Sequence, residues 1–374
     1  MSCDFIRPAL PAVQRLSPYQ PGKPEAELRR ELGLAHIVKL ASNENPLGCS
    51  PRATAAMQAA LTDIARYPDG NGYALKHALA SRFALPPDCI TLGNGSNDVL
   101  ELLGRAYLGP GRHAVFSEHA FAVYPLVVQA VGAEARVAPA LATDSAMPYG
   151  HDLAAFHQRI DYDTRLVFIA NPNNPTGTWL SSAQLEDFLA AVPPQTLVVI
   201  DEAYCEYAEK PDYASVAPWL SRWPNLVVLR TFSKAYGLAG LRVGYALSHP
   251  EVADILNRVR QPFNVNSLGL CAAEAALEDS EFLNASRTVN RQGMAQLHAA
   301  CERLGLRVLP SAANFLCIDL ARPGVPIFER LLQHGVIVRP VAGYGLPNAL
   351  RVTVGTEAEN QHFITALTEV LAAA

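Results

Sequence analysis

The sequence predicts an α/β protein: a large domain with a mostly parallel central sheet flanked by helices, and a smaller α+β domain formed by both chain ends. Three observations carry this. Short β-branched runs alternate with segments whose apolar residues recur at helical spacing, the pattern of units that build parallel sheets. The runs Leu166–Ile169 and Leu197–Ile200 are apolar throughout, as strands covered by helices on both faces must be. The chain has 374 residues, 50% hydrophobic and 17% charged, enough for a sizeable core and for more than one domain at roughly 150 residues each.

In chain order, the opening carries Pro8, Pro11, Pro18, Pro21 and Pro24. Proline lacks the backbone N–H that a core helix or central strand needs, so this segment reads as an arm lying across something else, a partner subunit included. The strands of the sheet are read at Ile90–Leu92, Ala114–Phe116, Leu166–Ile169, Leu197–Ile200, Asn225–Leu229 and Arg242–Ala246. Between them, spacings such as Leu185, Phe188 and Leu189 mark helices. Past residue 266 the pattern changes to a long helix, Glu281–Leu304, then to short elements at Asn314–Ile318, Ile327–Leu332, Val336–Val338 and Leu350–Val354 and a last helix to Leu371. The expected division is 1–45 for the arm and part of the small domain, 46–266 for the large domain and 267–374 for the small one.

Thirty basic and 35 acidic residues give a net charge of −5, so no global basic field draws nucleic acid. Apolar runs are strand-sized, far below the roughly 20 residues that span a bilayer. The opening mixes an acid and prolines where a secretion signal needs a basic region and an apolar run. The cysteines, at positions 3, 49, 89, 205, 271, 301 and 317, form no Cys-x-x-Cys pair and fit reduced thiols. The expectation is a soluble cytoplasmic protein with neither nucleic acid, membrane nor metal among its partners.

Four segments carry chemistry. Lys234, in Thr231-Phe-Ser-Lys-Ala-Tyr-Gly-Leu-Ala-Gly-Leu-Arg242, follows a buried-type strand. Its place is the carboxyl end of that strand, where open α/β sheets hold ligands. A partly desolvated lysine there is an amine nucleophile toward an aldehyde. Asp201 ends the apolar strand before Glu202-Ala-Tyr204, and a buried aspartate calls for a partner such as a protonated ring nitrogen. Asn171-Pro-Asn-Asn-Pro-Thr-Gly177 is a rigid turn offering amides at the same end of the sheet. Leu92-Gly-Asn-Gly-Ser-Asn-Asp98 opens a helix, with Ser96 or Asn97 as cap, and presents free N–H groups to a phosphate; it lacks the Gly-Lys-Ser/Thr of a nucleotide P-loop. Taken singly, each also has an ordinary structural explanation: a surface lysine, a turn aspartate, a turn, a helix start.

In this order and spacing the four segments resemble those of the fold type I pyridoxal-phosphate aminotransferases, over nearly the whole chain. Leu16-Ser-Pro-Tyr-Gln-Pro-Gly-Lys23, Leu40-Ala-Ser-Asn-Glu-Asn-Pro-Leu-Gly48, Arg66-Tyr-Pro-Asp69 and Leu350-Arg-Val-Thr-Val-Gly355 look most like the histidinol-phosphate aminotransferases. The resemblance implies pyridoxal 5'-phosphate as cofactor, with Lys234, Asp201 and Tyr204 as catalytic residues. Lys234 holds the cofactor aldehyde covalently and later moves the proton; Asp201 pairs with the ring nitrogen; Asn174 and Tyr204 bond the phenolic oxygen. Ser96, Asn97, Thr231, Ser233 and Arg242 cradle the phosphate, and Tyr67 reaches the phosphate of the neighbouring subunit in a homodimer with shared active sites. Phe121 takes the ring-stacking position, with Tyr124 and His119 as the alternatives.

For substrate, the resemblance implies Arg351 and Arg339 as clamps for acid groups, with Tyr19, Asn43 and Asn314 adding hydrogen bonds. The implied partners are a phosphorylated amino alcohol, L-histidinol phosphate, and glutamate or 2-oxoglutarate, within histidine biosynthesis. The other readings are an aromatic or broad-range amino-acid aminotransferase, a threonine-phosphate decarboxylase-like lyase, and a non-catalytic regulator, for which residues 1–45 are too short and proline-rich to supply a DNA-binding module.

Overall fold

The computed structural model describes residues 4–373. Its strands in chain order are β1 (Val38–Lys39), β2 (Ile90–Asn94), β3 (His113–Ser117), β4 (Glu134–Ala138), β5 (Thr164–Ala170), β6 (Leu197–Asp201), β7 (Leu226–Thr231), β8 (Val243–Leu247), β9 (Arg307–Val308), β10 (Phe315–Asp319), β11 (Val336–Ile337), β12 (Arg339–Pro340) and β13 (Ala349–Thr353). β2 to β8 form one sheet in the order β2-β8-β7-β6-β5-β3-β4. All its pairings are parallel except those of β8, which runs antiparallel to both neighbours.

The all-apolar strands behave as their composition demands. Successive side chains of a strand point to opposite faces. Val167, Ile169, Val198, Ile200 and Val228 therefore enter one core with Leu185, Phe188 and Leu189 of the helix Ser182–Ala191. Leu166, Phe168, Val199, Val227 and Leu229 enter another with Val99, Leu100 and Leu103 of the helix Ser96–Tyr107. Each such side chain contributes roughly 1.5–3 kcal/mol by leaving water, and the two layers together hold the strand ends rigidly. Within the large sheet, the strand missing from the sequence reading is β4, an edge strand whose residues are mostly exposed, so it carries no apolar run.

The smaller unit joins both chain ends. β1 pairs in parallel with β11, Val38 opposite Val336, and Val38 and Leu40 share a core with Leu316, Val352 and Phe363. The long helix runs Ser280–Arg303, within a residue of its expected limits. The helix before it, Ser267–Leu277, buries Ala272, Ala273 and Ala276 in the core of the large sheet, although it lies beyond the expected division at 266. Ahead of β1, the described residues of the arm hold a four-residue helix, Pro11–Gln14, and the helix Glu25–Leu32. No helix among the described residues is long and apolar enough to cross a membrane. The six described cysteines are free; Cys3 lies outside the described residues.

Candidate active site

β5, β6 and β7 lie side by side in parallel and end at Ala170, Asp201 and Thr231, so the segments that follow them converge at one edge. There they line a cavity of about 180 Å³. Asn174 comes from the turn after β5, whose two Asn–Pro bonds, at 171–172 and 174–175, are both cis. Asp201 is only 5% exposed. Its Oδ2 accepts from the Tyr124 hydroxyl at 3.0 Å and its Oδ1 from the Ala203 N–H at 3.2 Å. Burial nevertheless dominates and pushes the carboxyl up to about 6.

Lys234 faces the same cavity, and its ammonium donates to the Ser42 carbonyl at 3.1 Å. Burial first, and the Arg351 guanidinium second, bring its pKa down to about 8, the range in which a lysine serves as nucleophile and base. Tyr204 accepts a hydrogen bond from Asn43 Nδ2 at 2.9 Å, which leaves its own proton free to donate. Burial pushes that hydroxyl up to about 12.

At one end of the cavity the helix Ser96–Tyr107 begins. Its N-cap is Gly95, at φ 79°, rather than Ser96 or Asn97, and no side chain caps it. Ser96 and Asn97 are instead the first helical residues, whose N–H groups have no partner within the helix and sit at the positive end of its dipole. The conformation needs glycine, and a Cβ there would collide with the Arg242 guanidinium. Gly244 of β8 is equally constrained: a Cβ on it would strike the backbone of Gly95 and Ser96. Arg242 donates to the Ser233 hydroxyl at 3.3 Å, and the Thr231 hydroxyl accepts from the Ser233 N–H at 3.1 Å. Three hydroxyls, two free amides and a guanidinium thus gather around a space suited to a phosphate.

The opposite wall carries two further guanidiniums. Arg351 is buried, donates to Asn174 Oδ1 at 2.5 Å and the Ala41 carbonyl at 2.6 Å, and leaves Nε without a partner. Arg339 donates to the Gln20 carbonyl at 2.6 Å with its guanidinium 5.8 Å from the Tyr19 ring centroid. Among the described residues neither meets a carboxylate in an ion pair. A buried cation without an anion, as Arg351 is, is costly, so this wall suits an acidic guest.

Of the residues singled out from sequence, Ser96, Asn97, Phe121, Asn174, Asp201, Tyr204, Thr231, Ser233, Lys234, Arg242, Tyr19, Asn43, Arg339 and Arg351 all line the cavity. Asn314 does not: it stands behind Asn43 and donates to that residue's carbonyl at 3.1 Å. Tyr67 is away from this chain's cavity, 83% exposed and stacked on Phe263 with centroids 4.8 Å apart. Of the three stacking candidates only Phe121 lines the cavity; Tyr124 is bonded to Asp201, and His119 to the Tyr344 carbonyl at 2.7 Å. Sequence reasoning missed Tyr344 and Ala203, also on the wall, and the partnership of Tyr124 with Asp201. Tyr344 sits in a short turn with no periodicity; the pattern Ala-Gly-Tyr-Gly held only a turn signal.

Residues 35–367 match the family model described as aminotransferase class I and II. The chain belongs to that family. As an aminotransferase it is 61% identical, over 100% of both chains, to a protein of Pseudomonas fluorescens named histidinol-phosphate aminotransferase 2. It is 60% identical, over 99% of both, to the protein of that name from Pseudomonas aeruginosa. A solved structure, histidinol-phosphate aminotransferase from Sinorhizobium meliloti in complex with pyridoxal-5'-phosphate, is 30% identical, with a TM-score of 0.87 over 98% of each chain. The family depends on pyridoxal phosphate, and the aminotransferase cavity fits that molecule group by group. There is a depressed lysine for its aldehyde, a buried aspartate for its nitrogen and hydroxyl and amide groups for its phenolic oxygen. The glycine-bounded helix start, where even one Cβ would intrude, has the space and free N–H groups that a phosphate would need. Among the described residues no cluster of His, Cys, Asp and Glu could hold a metal ion.

Proposed function

We propose that this chain transfers the amino group of L-histidinol phosphate to 2-oxoglutarate, giving imidazole acetol phosphate and glutamate, a step of histidine biosynthesis in the cytoplasm. The observation that supports it is the pair Arg339 and Arg351, carboxylate-free and facing Lys234 across one small cavity. Both substrates are multiply anionic, one a phosphate monoester and the other a dicarboxylate. A planar fork of donors suits each in turn.

The cofactor, when bound, supplies an electron sink for the substrate carbon that loses its proton. Lys234 Nζ takes that proton, being neutral in a substantial fraction near pH 8. Asp201 would pair with the ring nitrogen and keep it protonated, its carboxylate oxygens being bonded to neutral donors, the Tyr124 hydroxyl and the Ala203 N–H. Asn174 and Tyr204 hold the phenolic oxygen, Phe121 covers the ring face, and Ser96, Asn97, Thr231, Ser233 and Arg242 anchor the phosphate. Tyr19 and Asn43 line the substrate side, and Asn314 acts through Asn43. Tyr67, exposed on this chain, reaches the phosphate in the neighbouring subunit of a homodimer.

Steady-state assays of glutamate production from 2-oxoglutarate, with histidinol phosphate, phenylalanine and threonine phosphate as donors, test the reading. Preference for histidinol phosphate by kcat/KM supports it. Preference for phenylalanine overturns the substrate assignment, and carbon dioxide release from threonine phosphate overturns the reaction.

A further inference from the structure

Tyr124 lies outside the cavity, in the helix Val123–Ala130, yet it touches two residues that line it. Its hydroxyl donates to Asp201 Oδ2 at 3.0 Å. Its ring stands edge-on to Phe121, with centroids 5.8 Å apart at 87°, and lies stacked on Phe168 of β5, at 4.9 Å and 12°. The side chain is 1% exposed, so its hydroxyl is cut off from bulk solvent. A phenol has one proton to donate, and here the acceptor in reach is the aspartate. Packing against Phe121 and Phe168, with the hydroxyl held by Asp201, leaves the ring no second rotamer at low cost.

We propose that Tyr124 is a positioning residue: its hydroxyl fixes the orientation of the Asp201 carboxylate while its ring fixes Phe121, so that one side chain sets both the acid for the cofactor nitrogen and the face on which the cofactor ring lies. This rests on the cofactor reading above and extends it to a residue behind the cavity wall. With Oδ2 held by Tyr124 and Oδ1 by the Ala203 N–H, the carboxylate cannot rotate without breaking a bond. Each oxygen retains a lone pair for a ring N–H. The other groups that act on Asp201 are Lys234, Glu202 and Tyr204, none of which is bonded to its oxygens.

Tyr124→Phe keeps the ring contacts and deletes only the donor. A hydrogen bond to a charged group is lost, which should move the Asp201 titration upward by about one to two pH units. In cofactor-free protein with 13C-labelled aspartate side chains, the Asp201 carboxyl resonance, assigned by its loss in Asp201→Asn, reads this directly. With cofactor bound, kcat should fall and KM for histidinol phosphate stay near its original value. Tyr124→Leu, which also frees Phe121, should in addition speed cofactor dissociation. Should Tyr124→Phe fail to fold, a fluorotyrosine at 124, a stronger donor on the same frame, should shift the Asp201 titration downward. An unchanged Asp201 titration in whichever of these proteins folds overturns the proposal. A protein that binds no pyridoxal phosphate yet shows the shift instead overturns the cofactor reading and leaves the bond's role standing.

Discussion

Arg351 Nη1 donates to Asn174 Oδ1 at 2.5 Å, tying β13 of the smaller unit to the turn that follows β5 of the large sheet. The two residues are 177 positions apart. An anion arriving at Arg351 would therefore also act on Asn174, the residue proposed for the cofactor's phenolic oxygen.

Arg351→Ala should reduce kcat/KM for both substrates by about 10²–10³, since truncating a buried charge-bearing partner costs about 3–4 kcal/mol. Steady-state kinetics with each substrate varied checks it. Arg351→Lys should recover little, because a compact ammonium lacks the planar fork that reaches Asn174, the Ala41 carbonyl and an anion at once. Loss confined to one substrate would mean that the other anion binds elsewhere.

Lys234 is depressed to about 8 by burial and then by Arg351. The neutral amine is the nucleophile, so capture of the aldehyde by cofactor-free protein should rise about tenfold per pH unit toward 8 and level off above it. Stopped-flow absorbance gives this profile. In Arg351→Ala the like charge is gone, and the plateau should move to higher pH.

Asp201 works in the other direction. Its folded pKa, about 6, is raised above the ordinary 3.8, so the folded protein holds a proton that the unfolded chain has released. Stability is then lost as pH rises from 4 through 6. Asp201→Asn removes this penalty: the cofactor-free variant should gain on wild type with rising pH, reaching about 3 kcal/mol above pH 7. Urea denaturation at pH 4.5 and 7.5 measures the difference; a gain that is equal at both, or larger at 4.5, contradicts the assignment of burial as the cause.

The sheet was legible because its strands are buried on both faces and read as apolar runs, whereas β4 was not, because an exposed edge strand needs no such run. Lys234 and Asp201 were legible through local motifs tied to strand ends, and Arg242 through the family resemblance. What escaped, the Tyr124 bond to Asp201 across 77 residues and Tyr344 against the cavity, depends on which helix face meets which strand, and no local pattern encodes that. Asn314, expected to bond substrate, stands behind Asn43 and donates to its carbonyl, since a sequence shows which residues approach a site but not the layer they occupy. The start at Gly95 shows the same limit: the glycine that bends the chain, not the serine beside it, occupies the cap.

Gly95→Ala should weaken cofactor binding at least tenfold while leaving the fold intact. The φ of 79° is strained for alanine, and its Cβ drives Arg242 from the phosphate space. Equilibrium dialysis against pyridoxal phosphate measures the affinity, and circular dichroism checks the fold.

Arg230 bonds Glu202 at 2.8 Å, Glu206 at 3.0 Å and Ser215 at 2.8 Å, all buried or nearly so beneath the ends of β6 and β7. Arg230→Met strands two carboxylates and should cost about 3–5 kcal/mol of stability, read by urea denaturation. Arg230→Lys should rescue only part of it, because one ammonium cannot span three partners in the guanidinium plane.

The central claim is that Lys234 makes this cavity transfer an amino group. One turnover tests it most directly: cofactor-loaded protein is mixed with histidinol phosphate and no oxo acid, and the cofactor spectrum and products are followed. Conversion of the cofactor from its aldehyde to its amine form with one equivalent of imidazole acetol phosphate is expected, and neither in Lys234→Ala. Conversion at an undiminished rate in Lys234→Ala, or none in the wild-type protein, would contradict it.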